Sequence, residues 1–150
     1  MMAKKTFKGR PLLPGDLTGE ALVSTQPFNT TGSYLENMFM GVTDKAPCTD
    51  QDNPELYKKD LANCILCTPA TIGSTMGGPA FMGVIEIGVG PKAMLFSDHI
   101  DAVAASGLIM EDVWNEKRVI TIDLLGDEFL ETVKTGDPIT IKADGTVEVG

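Results

Sequence analysis

A glycine-rich polar turn between two apolar segments constrains this chain more than any other feature. The turn lies in Cys67–Gly78, Cys-Thr-Pro-Ala-Thr-Ile-Gly-Ser-Thr-Met-Gly-Gly, which we call the corner. It follows a strand-like run, residues 63–67, and precedes a segment that can continue as a helix. A turn in this position presents N–H groups and a hydroxyl where anions bind. Two interpretations remain open: a capped turn with Ser74 or Thr75 as N-cap, or a functional Ser74 hydroxyl.

The composition is that of a single globular domain. The 150 residues suffice for one domain with a real core, so we treat 1–150 as one unit with a flexible start over residues 1–5. Hydrophobic residues make up 43% and charged residues 22%, a balance that excludes extensive disorder. No apolar run approaches the roughly 20 residues of a membrane helix, so no membrane association is expected.

Charge and the N-terminal segment limit the partners and the compartment. The formal net charge of −9 argues against a nucleic-acid binder, because few cations could replace the counterions around phosphates. Two lysines near the start precede no apolar run of the signal-peptide type. We therefore expect a cytoplasmic protein that does not bind nucleic acid.

The first 60 residues predict two strands and a long irregular insert. Strands over residues 7–13 and 19–24 would pair as a hairpin across residues 14–18. Residues 29–60 show no clear periodicity, and loops of that length are usually functional or disordered. Within this insert, apolar spacing predicts a short helix around residues 34–39.

The remainder predicts a β-α-β-α-β segment and a closing hairpin. Residues 61–67 have the uncharged pattern of a strand covered on both faces. The next element is a helix with Met76, Ala80, Val84 and Ile87 on one face, and Gly90-Pro91 ends it. A strand over 93–96 and a short helix from Asp98 to Ser106, capped by Gly107, come next. A strand over 119–125 and a hairpin of strands 139–142 and 146–149 complete the chain. The predicted fold class is α/β, with parallel central strands in a mixed, barrel-like sheet and terminal hairpins.

Few residues could form a self-contained catalytic or metal site. The single histidine, His99, lies at a predicted helix start, where a surface role is the usual one. Cys64 and Cys67 have Cys-x-x-Cys spacing, but side chains three apart on a strand face opposite sides and cannot hold one ion. Cys67 is better placed for function than Cys64, and Cys48 in the insert could face a partner. No metal site is therefore predicted within this chain.

Several motifs resemble one known family. Residues 9–15, Gly-Arg-Pro-Leu-Leu-Pro-Gly, and residues 19–23, Gly-Glu-Ala-Leu-Val, are similar to the opening of the small, swivelling-domain subunit of the aconitase X family. Residues 73–77, Gly-Ser-Thr-Met-Gly, resemble its Gly-Ser-Ser-Thr-Gly corner, and the C-terminal hairpin also fits. The resemblance covers most of the chain, and the opening and the corner are its most specific parts.

The resemblance implies a fold, a partner and an activity. The expected fold is a swivelling β/β/α domain like the mobile domain of aconitase. The expected activity is that of a dehydratase, with an iron or iron–sulfur centre held by a large partner subunit and a small hydroxy-acid substrate. Carried over by motif, Ser74 is the catalytic base, and Gly73, Thr75, Met76 and Gly77 are the substrate-binding residues. The site would then be divided between two chains, and this chain alone would be inactive.

Departures from the family pattern leave the substrate open. Thr75 and Met76 stand where the family has Ser and Thr, and residues 29–60 differ most. Known family activities are dehydration of cis-3-hydroxy-L-proline and of mevalonate 5-phosphate. The small number of basic residues near the corner favours the phosphate-free substrate, cis-3-hydroxy-L-proline. A stand-alone module that binds a small anion and a purely structural subunit remain the competing hypotheses.

Overall fold

Eight of the ten strands form one sheet. The computed structural model describes residues 3–150. Its elements are β1 (Lys5–Lys8), β2 (Arg10–Leu13), β3 (Leu17–Val23), β4 (Phe28–Asn29), α1 (Thr30–Ser33), α2 (Leu35–Phe39), β5 (Ile65–Thr68), β6 (Thr71–Ile72), α3 (Gly77–Glu86), β7 (Ala93–Phe96), α4 (Ala102–Asn115), β8 (Ile120–Asp123), α5 (Asp127–Thr132), β9 (Pro138–Ile141) and β10 (Thr146–Val149). The order in the sheet is β1-β10-β9-β3-β5-β7-β8-β2, and β4 and β6 form a separate parallel pair.

The chain itself connects the two ends of this sheet. β1 pairs with β10 at one end, β2 pairs with β8 at the other, and Gly9 alone separates β1 from β2. The single strand predicted over residues 7–13 is thus two short strands. The sheet is nearly closed, which confirms the predicted mixed, barrel-like α/β fold, and the hairpin of β9 and β10 forms as expected.

The hairpin predicted between residues 7–13 and 19–24 is wrong. β2 pairs with β8, whereas β3 lies between β9, which is antiparallel to it, and β5, which is parallel. β3 carries the buried residues Ala21 and Val23. A strand with buried side chains is stabilised more in the middle of a sheet than in an isolated two-stranded hairpin, so long-range pairing overrides the local turn signal.

The parallel strands β3, β5, β7 and β8 separate two hydrophobic clusters. Every residue of β5 and β7 is buried, as the uncharged pattern predicts, although the strand predicted over 61–67 runs from Ile65 to Thr68. Leu66, Met94 and Phe96 face the cluster that contains α3 and α4. Cys67 and Leu95 face the cluster inside the barrel. We call the edge formed by the C-terminal ends of β5, β7 and β8 the carboxyl edge, and the opposite edge the amino edge.

The helix predicted over Asp98–Ser106 is wrong in both bounds. α4 has 14 residues and contains Gly107 in its middle, and Glu116 in the left-handed region ends it. A Cβ on Gly107 would collide with the carbonyl oxygen of Gly78 on α3. Gly107 therefore allows two helices to cross in backbone contact, and the sequence does not distinguish that use from a helix cap.

Two further helical predictions need correction. On α3 the buried face includes Phe81 and Ile85 as well as the predicted Ala80 and Val84. Met76 and Ile87, which the sequence pattern places on that face, are 45% and 40% exposed, because each lies just outside the helix. The short helix α5 carries two acidic residues in its first turn and has no counterpart in the sequence prediction.

The segment 29–60 packs on the α3–α4 side of the sheet. It contains α1 and α2, and the predicted short helix near residues 34–39 is confirmed as α2. Tyr34 and Leu56 are fully buried, and an isolated bridge joins Pro47 to Asp60. The expectation of a flexible start falls partly on residues 1 and 2, outside the described part, whereas Lys5 begins β1. In residues 3–150, no helix has the length and apolar character needed to cross a membrane.

Candidate functional site

The turn of the corner, residues 73–76, connects β6 to α3 at the carboxyl edge of the sheet. Its first turn residue, Gly73, has φ +120°, a conformation that side chains other than glycine rarely adopt. A Cβ at this position would also lie 2.8 Å from Asn29 Oδ1, which accepts the amide N–H of Gly32 at 3.0 Å. Glycine is thus required at position 73, and the close approach brings the corner against the start of α1.

Ser74 is exposed at the tip of the corner. Its hydroxyl lies 3.3 Å from the Thr31 hydroxyl, and either group can donate. The Met76 amide donates to Ser74 Oγ at 3.2 Å, and the Gly77 amide donates to the Ser74 carbonyl at 3.0 Å. The N-cap of α3 is Met76, with no side-chain cap, so the interpretation of Ser74 or Thr75 as N-cap is wrong. The Ser74 hydroxyl instead closes the turn before the helix.

The other predicted corner residues occupy different positions around that hydroxyl. Thr75 and Met76 are exposed beside it, whereas Gly77 is buried against the side chain of Thr30. The amides of Ser74 and Thr75 donate to no acceptor within residues 3–150. The corner therefore offers a hydroxyl and two unpaired N–H groups, the donors that stabilise a developing oxyanion.

A side-chain contact fixes the corner to the loop before α4. Thr71 Oγ1 donates to Asp101 Oδ2 at 2.5 Å. The other oxygen of Asp101 accepts the Ala104 amide at 2.8 Å and caps α4. One carboxylate thus holds both β6, within the corner, and the first turn of α4. His99, in the same loop, is exposed, and its amide donates to the Asp98 side chain at 2.8 Å.

Arg10 and Asp123 form a second anchor at the carboxyl edge. Arg10 Nε and Nη2 donate to the two oxygens of Asp123 at 2.8 and 2.6 Å. The Asp123 side chain is fully buried, and its Oδ2 also accepts the Ile100 amide at 3.2 Å. Together, the side-chain and Coulomb interactions with Asp123 raise the pKa of Arg10. Sequence reasoning missed this pair, although Arg10 lies within the opening motif.

The cysteines do not fit a metal centre. Cys48 and Cys67 are at most 1% exposed, so the expectations that Cys48 faces a partner and that Cys67 is suited to function are wrong. Cys64 and Cys67 belong to opposite hydrophobic clusters, as strand alternation predicts. Burial raises the pKa of Cys64 to about 12 and also raises that of Cys67, which disfavours the thiolates that iron requires. Among residues 3–150, no group of three or more His, Cys, Asp or Glu side chains could hold a metal.

A comparison with known protein families identifies the family of this chain. The family described as "Aconitase X swivel domain" matches residues 6–149. The chain belongs to the aconitase X swivel domain family. This confirms the resemblance carried by the opening and corner motifs.

Individual relatives match along almost their whole length. The phosphomevalonate dehydratase small subunit of Archaeoglobus fulgidus is 30% identical, over 95% of this chain and 97% of that protein. The protein of the same name from Methanocaldococcus jannaschii is 27% identical, over 95% and 96%. The crystal structure of Thermococcus kodakaraensis aconitase X in its holo-form superimposes with a TM-score of 0.79 at 25% identity, covering 97% of this chain and 98% of that chain.

Proposed function

We propose that this swivel domain is the small subunit of a two-subunit aconitase X dehydratase. The observation that carries the proposal is the match to two proteins named as dehydratase small subunits, which extends over nearly all of both chains. The incomplete set of catalytic groups in this chain supports the same conclusion. An iron or iron–sulfur centre is assigned to the large partner subunit, because the cysteines here do not fit one.

Mevalonate 5-phosphate is the proposed substrate. The relatives described above carry the phosphomevalonate name, so they favour this substrate over cis-3-hydroxy-L-proline, which the sparse basic residues near the corner suggest. A site divided between two chains removes that objection, because cations on the partner can bind the phosphate.

Ser74 is the proposed catalytic base on this chain. Dehydration of a 3-hydroxy acid takes one proton from the carbon next to the carboxylate and the hydroxyl from the neighbouring carbon, leaving a double bond. A serine hydroxyl is a weak base unless its alkoxide is stabilised. Thr31 Oγ1 and the Met76 amide, 3.3 and 3.2 Å from Ser74 Oγ, are positioned to donate to that alkoxide. The free Ser74 and Thr75 amides are available for the substrate's oxyanion.

The surroundings of Ser74 fit a surface that a partner covers. Ile72 and Met76, two residues before and after Ser74, are 51% and 45% exposed. Phe39 and Met76 line one groove of about 390 Å³ along α3. Exposed apolar side chains around a polar group are typical of interaction surfaces. A large subunit that delivers substrate to Ser74 would cover these side chains at the same time.

Reconstitution with the large subunit tests the proposal. The two subunits are produced together, purified as a complex, and assayed by absorbance of the new double bond on mevalonate 5-phosphate and on cis-3-hydroxy-L-proline. We expect turnover of mevalonate 5-phosphate by the complex and no turnover by this chain alone. Turnover of hydroxyproline only would contradict the substrate, and an inactive, correctly loaded complex would contradict the activity.

The anion-binding module is tested on the isolated chain. Amide resonances of residues 73–76 are followed by NMR while phosphate and small carboxylates are added. If the corner works only within the complex, these resonances stay unchanged at millimolar anion. Saturable shifts in the isolated chain, together with a failure to bind any large subunit, would favour the stand-alone module instead.

A further inference from the structure

The chain has two arginines, and both form a fork with an aspartate. Arg10 uses Nε and Nη2 on Asp123, and the structure shows no hydrogen bond from its Nη1 to any residue in 3–150. The side chain is 51% exposed. The guanidinium is therefore held in one orientation with donors still directed to solvent, a geometry that suits carboxylates and phosphates.

Arg10 lies at the same edge of the sheet as the corner. Asp123 is the last residue of β8, and the corner begins where β5 ends. The Asp123 carboxylate accepts the amide of Ile100, next to Asp101, which holds Thr71 before the corner. One four-residue loop, 98–101, thus contacts both Asp123, the partner of Arg10, and Thr71, three residues before Ser74.

Burial of Asp123 needs an explanation beyond sheet closure. Desolvating a carboxylate is costly, and well-packed hydrophobic residues usually replace a buried ion pair without loss of stability. Leu12 and Leu13 already provide apolar contacts where β2 closes the sheet. What the carboxylate adds, and hydrophobic residues could not, is an acceptor for the Ile100 amide and a fixed orientation for the Arg10 guanidinium.

Arg118 provides an internal comparison. Its Nε and Nη2 donate to Asp112 at 2.6 and 2.8 Å, so the fork is the same. Its Nη1, however, donates to the Pro14 carbonyl at 2.9 Å. Arg118 also precedes β8 and therefore lies at the amino edge, away from Ser74. The two arginine–aspartate pairs have the same fork geometry. They differ in the edge of the sheet at which they lie, and within residues 3–150 only Arg10 keeps a free Nη1 donor.

We propose that Arg10 is a substrate-binding residue whose guanidinium, fixed by Asp123, donates to an oxyanion of the substrate held between this chain and the large subunit. The inference rests on the proposed function. Mevalonate 5-phosphate has two such oxyanions, its carboxylate and its phosphate, and the chemistry of recognition is the same for both.

The test compares Arg10→Met, Arg10→Lys and Arg118→Met in the reconstituted complex. KM and kcat are measured with mevalonate 5-phosphate, and mevalonate, which has the carboxylate but no phosphate, is measured as an inhibitor. We expect Arg10→Met to raise KM about 10- to 100-fold, the range for a lost charge-assisted hydrogen bond, with a smaller change in kcat. Arg10→Lys should be intermediate, and Arg118→Met should stay within twofold of the wild type.

The inhibitor identifies the oxyanion. Weaker mevalonate inhibition in Arg10→Met indicates the carboxylate, and unchanged inhibition with a raised KM indicates the phosphate. An unchanged KM in both Arg10 variants overturns the inference while leaving the dehydratase intact, whereas an inactive wild-type complex contradicts the proposed function itself. If Arg10→Met does not fold, shown by circular dichroism, a folded Arg10→Lys variant with the wild-type KM is sufficient to overturn it.

Discussion

The two edges of the parallel sheet differ in how their polar groups are used. At the amino edge, Lys92, Lys117 and Arg118 line a groove of about 400 Å³, and this cationic lining would suit an anion. Yet Lys117 is paired with Glu86 at 3.3 Å and Arg118 with Asp112, which leaves Lys92 as the lining cation without an ion pair to residues 3–150. At the carboxyl edge, Ser74 and Arg10 are held by neighbouring groups but keep donors free.

Cavity and charge alone would therefore point to the amino edge, whereas the proposed site lies at the carboxyl edge. Parallel strands end together at the carboxyl edge, and in α/β folds with either an open sheet or a closed barrel, ligands bind where those strands end. Backbone strain does not separate the edges, because Leu124 has positive φ at the carboxyl edge, whereas Asn63 and Glu116 have positive φ at the amino edge.

Removal of the Ser74 hydroxyl is the strongest test of the proposed difference between the two edges. In the reconstituted complex, Ser74→Ala should lower kcat by about 10²–10⁴-fold, since a positioned base contributes that much. Ser106→Ala is the matched control, because Ser106 is an exposed serine whose hydroxyl donates to the Val103 carbonyl within α4. Near-normal turnover of Ser74→Ala would exclude Ser74 as the base.

The next largest effect concerns the buried carboxylate of the Arg10 pair. Asp123→Asn removes the charge from the fully buried partner of Arg10 and weakens its charge-assisted hydrogen bonds, and because Arg10 is 51% exposed and can be solvated, the expected cost is about 1.5–3 kcal/mol of unfolding free energy. Urea denaturation of the isolated chain measures it. A loss below about 1 kcal/mol would show that the Arg10 pair behaves like a surface ion pair, and the contrast between the edges would fail.

The sequence predicts the carboxyl edge better than the connections that build it. Buried strands such as 65–68 and 93–96 carry continuous apolar runs, and the Gly-Ser-Thr turn between strand and helix can be recognised locally. Strand partners cannot be recognised locally, because the pairing of β2 with β8 depends on residues more than 100 positions apart. The Arg10–Asp123 pair cannot be predicted from the sequence for the same reason, because nothing near either residue indicates its partner.

A third prediction compares two glycines along the helices above the sheet. Gly107→Ala brings a methyl group into collision with the Gly78 carbonyl oxygen, so α3 and α4 must separate, at a cost of about 1–3 kcal/mol. A methyl group on Gly83, further along α3 toward the amino edge, would meet no atom of residues 3–150 within 4 Å. Gly83→Ala should therefore stabilise the chain by about 0.5–1 kcal/mol through helix propensity. Thermal unfolding of both variants measures the two effects, and a Gly107→Ala variant as stable as the wild type would contradict the backbone contact between α3 and α4.

The smallest expected effect on stability is that of breaking the Arg118–Asp112 pair at the amino edge. Its hydrogen bond to Arg118 holds the pKa of Asp112 below its usual value, and the Asp112 side chain is 14% exposed. Because solvent screens such a pair, Asp112→Asn should cost less than about 1 kcal/mol at pH 7. The folded-state pKa is the lower one, so this stabilisation is complete above the unfolded pKa of about 4 and is lost as the pH falls through the folded value.

The pH dependence gives this last comparison its control. Urea denaturation of the wild type and of Asp112→Asn at pH 7 and pH 3 should give a stability difference that shrinks in acid. A difference that is unchanged at pH 3 would mean that Asp112 acts through packing and not through its charge. A cost at pH 7 as large as that of Asp123→Asn would show that a fork with arginine is equally important at both edges, and that the free donors of Arg10 alone distinguish the carboxyl edge.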